Sequence, residues 1–311
     1  MWKYIVPRTK LAKATGAHAV LLKLLDDFVN QNEAEPIRVL VRTWKDQALV
    51  LTYQQIRTWI DTGDVTQADL EAWRGDYIKA LSEKLKPIWM KAASASVVPD
   101  NPNFKWISDS EWEYSPQKGG MDRWLRDHTA KLVTRINDQQ QQALKDVIAY
   151  GKLQKMGADE LSKYLRPLVG LNSPQAMANA KYYQTMKAKL AEEHPRMKPE
   201  NIEKKARHMA QMYGEKQHRQ RAQMIARTEL AQVYNQGAYD AVEQAQADGY
   251  LGETMKRWVT ARGPRVCPSC AALEGKTIPM NEAFDAGKFG KSDGPILHPR
   301  CQCVLEFFPK D

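Results

Sequence analysis

Cys267-Pro-Ser-Cys270 and, after a twenty-seven-residue insert, His298-Pro-Arg-Cys301-Gln-Cys303 contain every cysteine of the chain and the last of its histidines. A zinc-type ion takes about four soft ligands in a tetrahedron, and Cys-x-x-Cys brings two thiolates to one ion from a tight knuckle. In Cys301-Gln302-Cys303 an extended backbone sends alternate side chains to one face, so both sulfurs can meet the ion while Gln302 turns away. Cys267, Cys270, Cys301 and Cys303 then make a four-thiolate set. His298, three residues before Cys301, competes for one position in a Cys3His set. Closing the insert costs roughly 3 kcal/mol of chain entropy, whereas structural zinc contributes about 10 to 16 kcal/mol in small peptides. Metal binding can therefore hold this loop. No secretory leader precedes the cysteines, so thiols rather than disulfides are expected.

Two enzymatic readings compete at the same residues. Zinc nucleobase deaminases need His-x-Glu ahead of Pro-Cys-x-x-Cys, but no His-x-Glu occurs here and Val266 precedes Cys267. A zinc-braced nuclease of the His-Asn-His kind would use His298 as general base. No second histidine or acidic metal ligand accompanies it in the motif.

Outward from the cysteines, segments 257–260, 276–280 and 304–308 are strand-like and predict a small antiparallel sheet bracketing the metal. A helix from Gln217 to Ala247, closed by Gly249, leads into them. It carries Ala226-Arg227-Thr228-Glu229 and, two turns on, Asn235. Arg227 and Glu229 cannot face each other at i,i+2, so each needs a partner elsewhere, with the metal module a possible source. Upstream, helix follows helix: Met121 to Lys155, Ala158 to Leu168, Ser173 to Glu193, and a further helix from Glu200. Residues 53–61 and 66–86 are also helical, the second with Asp64 as cap, and Trp59, Trp73, Tyr77, Leu81 and Leu85 are expected to pack together. Apolar spacing at Val20, Leu21, Leu24, Leu25 and Phe28 predicts a helix face that Pro36 ends. Residues 37–51 fit strand and helix equally. The Pro/Gly-punctuated stretch between Val97 and Gly120 reads as a boundary. The division expected is residues 1–100 mainly helical, 101–120 linker, 121–218 helical domain and 219–311 zinc-binding domain.

The 311 residues carry a formal charge of +9, which favours a polyanionic partner. Residues 195–221 are the densest basic stretch, with Arg196, Lys198, Lys204, Lys205, Arg207, Lys216, Arg219 and Arg221 against three glutamates. Contact with DNA phosphates and a solvated helix face both fit them. The acid-free opening, with Lys3, Arg8, Lys10, Lys13 and Lys23, reads as a basic arm or a solvated terminus. No apolar run approaches a membrane span, so a soluble chain without a membrane partner is expected.

The segment from about Gln220 to Phe307 resembles the C-terminal domain of the phage head morphogenesis family, the minor head proteins similar to phage Mu protein F. The resemblance rests on an ordered set: Ala226 to Glu229, Trp258-Val259-Thr260, Cys267 to Cys270, Gly275-Lys276 and His298 to Cys303. The family's Cys-Arg-Cys is Cys301-Gln302-Cys303 here, one basic group fewer. Residues 1–120 carry no such likeness. The resemblance implies a mainly α chain ending in a small α+β zinc module, acting as a non-enzymatic virion protein. Its partners would be the portal protein, other head or scaffolding proteins and, without sequence preference, DNA at packaging or ejection. Its place would be the head interior or portal vertex, after assembly in the host cytoplasm.

Overall fold

The computed structural model describes residues 15–62, 67–261 and 266–310; the side chains of Thr15, residues 67–78 and Ala80 fall outside the description. The basic residues Lys3 to Lys13, the cap at Asp64, and the packing expected of Trp73 and Tyr77 therefore lie outside it. Lys23 is described, ion-paired with Asp27 one turn on.

The chain is mainly helical. Helix α1 runs Thr15–Asn32 and α2 Ala34–Val50. Pro36 does not end a helix but sits in the first turn of α2, where its missing N–H has no intrahelical acceptor to lose. The ambiguous segment 37–51 is thereby helical. Helices α3 (Tyr53–Thr62), α4 (Gln67–Ala95), α5 (Met121–Leu153), α6 (Ala158–Leu165), α7 (Ser173–Glu193) and α8 (Pro199–Ala247) follow. Helix α4 passes through Pro87 and continues past the expected end, because its last turns bury Trp89, Ala92 and Ala93. Packing there outweighs the local break. Helix α8 is one element of 49 residues rather than two. Gly249, at φ +77°, closes the turn that stops it, as a left-handed C-terminal glycine does.

Two compact units are formed by non-consecutive segments. One takes residues 37–85 and 128–223. Its core joins Ile56 and Trp59 of α3, Leu144, Val147 and Ile148 of α5, Leu161 and Leu165 of α6, and Tyr183 of α7. Asn179 ties α7 to α8, donating to the Ala210 carbonyl (3.0 Å) and the Gln217 side chain (2.9 Å) while accepting from Tyr164 (2.7 Å). Beside it the buried Trp44 ring packs on Gly170, whose φ is +97° and whose hypothetical Cβ would lie 2.6 Å from the indole. His218 lies against the same ring, centroids 5.9 Å apart, and its Nε2 is 2.7 Å from the Val169 carbonyl.

The other unit takes residues up to 36, 86–127 and 224–311. Strands β1 (Thr254–Val259), β2 (Thr277–Pro279) and β5 (Val304–Pro309) form an antiparallel sheet in the order β2-β1-β5, as the sequence predicts. Strands β3 (Phe284–Asp285) and β4 (Lys291–Ser292) pair as a short hairpin, and a one-turn helix α9 (Pro268–Ala271) holds the first cysteine pair. Ala238, Ala241 and Ala245 of α8 pack with Trp258, Leu305, Phe307 and three of the cysteines in one core. The expected linker 101–120 belongs to this core. Phe104, Trp106 and Trp112 are buried in it. The Asn103 amide donates to the Leu305 carbonyl and accepts from the Phe307 N–H, both at 3.0 Å, so one side chain satisfies the free edge of β5. Trp112 donates to Asp248 (2.8 Å), Tyr114 to Asp240 (3.0 Å), and Gln244 to the carbonyls of Ser115 and Lys118 (2.9 Å each). Proline and glycine spacing marked an irregular path here, not a detached one.

Where α4 crosses α8 in this unit, a Cβ on Gly237 would lie 2.3 Å from the Ala93 carbonyl oxygen. Gly237→Ala should therefore destabilise the unit by about 1–3 kcal/mol despite the better helix propensity of alanine. Gly16→Ala, with open space at its Cβ, should be neutral or stabilising; thermal unfolding of the two variants checks both. A pH dependence follows from His218. Burial holds its pKa down at about 4, beneath its ordinary 6.5. The unfolded chain then binds the extra proton first, so stability present above pH 6.5 should fall by roughly 3 kcal/mol as pH drops to about 4. Urea unfolding across that window should show the loss in the wild type and a flatter profile in His218→Gln.

Candidate metal centre

The first cysteine pair is positioned by the start of α9. Cys267 is its N-cap, and its sulfur accepts the Cys270 N–H at 3.3 Å, the knuckle geometry of Cys-x-x-Cys. The second pair stands at the entrance to β5. Cys301 and Cys303 are each 4% exposed while Gln302 is exposed and reaches Asp26 (3.3 Å), the alternation expected of this segment.

All five soft donors converge. The Cys270 sulfur lies 3.7 Å from the Cys301 sulfur and 3.4 Å from His298 Nε2. Two trios have donor atoms mutually within 4.8 Å: Cys267, Cys270 and His298, and Cys270, Cys301 and Cys303. Cys270 is common to both, so it is the pivot of the cluster. The four cysteines are free thiols.

Their electrostatics are those of crowded sulfurs. The hydrogen bond from Cys270, then that from Cys303, holds the Cys301 thiol down at about 3. The same contacts with Cys301 come first among the causes pushing Cys270 and Cys303 up. One thiolate per trio is tolerated and its neighbours must stay protonated. A bound cation reverses this, because coordination deprotonates thiols outright. Burial pulls the His298 imidazole down, but the Pro299 carbonyl and the charges on Cys301 and Cys267 outweigh it and raise its pKa. Its Nδ1 lies 2.9 Å from the Pro299 oxygen. The neutral tautomer that donates there would present its Nε2 lone pair to Cys270, the orientation of an imidazole able to ligate.

Helix α8 braces this loop. Thr228 Oγ1 accepts the N–H of Arg300 (3.2 Å), a residue at φ +62°, and the Asn235 amide donates to the Cys303 carbonyl (3.2 Å). Arg227 finds its partners in α1 and the turn after it, not in the cysteine cluster: Asn30 (2.7 Å), Glu33 (2.6 Å) and Asp26 (3.4 Å). Glu229 is buried. The spacing of Thr228 and Asn235 on one helix was visible in the sequence, but their acceptor and donor partners 70 residues away carried no local signal. Asn103, which bonds β5 behind this loop, was missed for the same reason.

The expected phosphate-binding residues divide. Arg196, Lys198, Lys204, Lys205, Lys216 and Arg219 are exposed. Arg207 is half-buried and paired with Glu203 at 2.7 Å. Arg221 is a correction: it is 1% exposed, donates to the Gly170 carbonyl (2.6 Å) and to Gln139 (2.8 Å), and stacks on Trp44. A core bond to a tight glycine turn uses its guanidinium, so it is unavailable to DNA. Among the described residues no helix is long and apolar enough to cross a membrane.

No curated protein and no solved structure matches the chain. The profile of the family described as phage Mu protein F like protein matches residues 135–306, more than half the chain. That span contains all five donors and the α8 residues that brace them. The chain belongs to the phage Mu protein F-like family of bacteriophage head morphogenesis proteins.

Proposed function

We propose that the chain is a minor head protein at the portal vertex of a phage particle, with one zinc ion holding its C-terminal module and DNA touching α8. The observation that carries the zinc reading is the convergence of five soft donors on the buried Cys270. Zn–S bonds of about 2.3 Å set sulfurs of a tetrahedron about 3.8 Å apart, and a nitrogen about 3.5 Å from a sulfur. The Cys270 distances of 3.7 Å to Cys301 and 3.4 Å to His298 match those edges. Cys267, Cys270, Cys301 and Cys303 would hold the ion, with His298 as rival ligand or as a donor to a bound sulfur. Zinc here supplies structure and not chemistry. Both ring nitrogens of His298 face protein atoms, so nothing in the site favours water activation and a nuclease.

Family membership supports a place in the virion among other head proteins, with the portal and scaffold as the neighbours of a vertex-bound minor protein. The DNA reading rests on α8. Lys204, Lys205, Lys216 and Arg219 fall on one exposed helical face and, among the described residues, have no ion-pair partner. Such a face neutralises phosphates without reading bases.

Two outcomes are expected. Protein purified without chelator should contain about one equivalent of zinc by elemental analysis. Cys267→Ser and Cys301→Ser should lose it and unfold the module, since metal binding there is folding energy, whereas His298→Ala should keep it with about tenfold weaker affinity. Less than about a third of an equivalent in the wild type would exclude the zinc reading. For DNA, affinity for duplexes of unrelated sequence should be equal and should drop on the order of a hundredfold between 50 and 200 mM salt for about four phosphate contacts. Combined Lys204→Glu, Lys205→Glu and Lys216→Glu should abolish binding without changing the melting temperature; unchanged affinity would return this face to solvent.

A further inference from the structure

The Trp258 indole is a buried donor without an ordinary acceptor. The side chain is 0% exposed, and its Nε1–H has no hydrogen-bond partner among the described residues. An indole N–H can only donate, and leaving one buried and unmet costs about 1–3 kcal/mol. A tryptophan at that position on packing grounds alone would be replaceable by phenylalanine at no polar loss.

The pairing of β1 with β5 locates what the indole faces. Trp258 stands opposite Leu305 and Val259 opposite Val304. Cys303, two residues before Leu305, shares its face of the strand, which makes it the diagonal neighbour of Trp258. Diagonal neighbours are within reach of an aromatic side chain. Trp258, Cys303 and Leu305 lie in one core cluster. Meanwhile the carbonyl of Cys303 is held from the other side by Asn235.

A protonated thiol is a weak acceptor, whereas a thiolate is a strong one. We infer that Trp258 is a positioning residue of the metal centre: its Nε1–H donates to the Cys303 sulfur, a bond completed when that sulfur is a metal-bound thiolate. The inference rests on the zinc reading and extends it by naming a residue outside the Cys/His motif that sets the affinity. It also gives the tryptophan of the Trp258-Val259-Thr260 strand a role beyond packing.

The test uses the full chain, wild type and Trp258→Phe, titrated with zinc against a competing chelator. It also follows the indole 15N–1H signals with and without zinc. Trp258→Phe should bind zinc about tenfold more weakly, the scale of a lost partner to a ligand. In the wild type, the indole signal missing from Trp258→Phe, or assigned through contacts with Leu305 if that variant does not fold, should move downfield on zinc addition. With 113Cd in place of zinc, the same proton should couple to the metal through the hydrogen bond, a signature packing alone does not produce. An indole signal unmoved by zinc and uncoupled to cadmium, or equal zinc affinity in the two chains, overturns the inference while leaving the zinc reading intact. A wild-type chain that binds no zinc removes both.

Discussion

Three sulfurs buried within 4.8 Å of one another cannot all be charged unless a cation sits among them, and Cys270, Cys301 and Cys303 are such a trio. The contact between Cys270 and Cys301 lowers the pKa of Cys301 and raises that of Cys270. The arrangement persists only because the surrounding fold fixes both ends of it. The first pair is fixed locally, by the Cys267 cap of a single helical turn. The second pair is fixed from a distance, by the sheet and by α8. The module is thus a small core whose centre is polar, and buried polar centres stabilise only when every member is satisfied.

Helix α8 supplies most of that satisfaction. Its alanines at 238, 241 and 245 let the sheet approach closely, and its polar side chains each meet a main-chain or side-chain group of an irregular segment. Thr228 and Asn235 hold the cysteine loop, while Asp240, Gln244 and Asp248 hold residues 112–118. Irregular segments leave backbone groups without ladder partners, and a long helix offers fixed side chains at regular spacing to meet them. This is why a stretch rich in proline and glycine can be part of a core.

How much of this could be read in the sequence follows from the range of the interactions. Strands 254–259, 277–279 and 304–309 and the alternation at Cys301-Gln302-Cys303 were legible, because periodicity and ligand spacing are local. The long α5 and α7 were legible too, and Ser173-Pro174 opens α7 behind the Asn172 cap. The misreadings share one cause. Pro36 was weighed as a breaker when it sits in the first turn of a helix, and the helix expected to end at 86 runs on through Pro87 because packing at Trp89 holds it. Residues 101–120 were separated from the core because the Asn103 bond to β5 spans about 200 residues. Arg221 was grouped with its neighbours by composition, and only the fold puts Gly170 and Trp44 beside it.

The basic residues of α8 are sorted by the chemistry of their head groups. Arg207, Arg221 and Arg227 all point to fixed acceptors: a carboxylate one turn away, a glycine carbonyl, and the carboxylates of Asp26 in α1 and Glu33 just after it. A planar guanidinium with five donors loses little when held in such a site. The cations left at the surface of the same helix are mainly lysines, at 204, 205 and 216, whose compact, strongly hydrated ammonium groups are costly to bury. Lys256 shows what burial of a lysine demands. It is 0% exposed, and its Nζ donates to the Asp293 carbonyl (2.8 Å) and lies 4.9 Å from the Tyr239 ring and 5.5 Å from that of Phe284. One carbonyl and two aromatic faces replace part of the lost hydration, and burial still pulls its pKa down. Among the described residues no comparable cage surrounds Lys204, Lys205 or Lys216, and their ammonium groups stay in solvent.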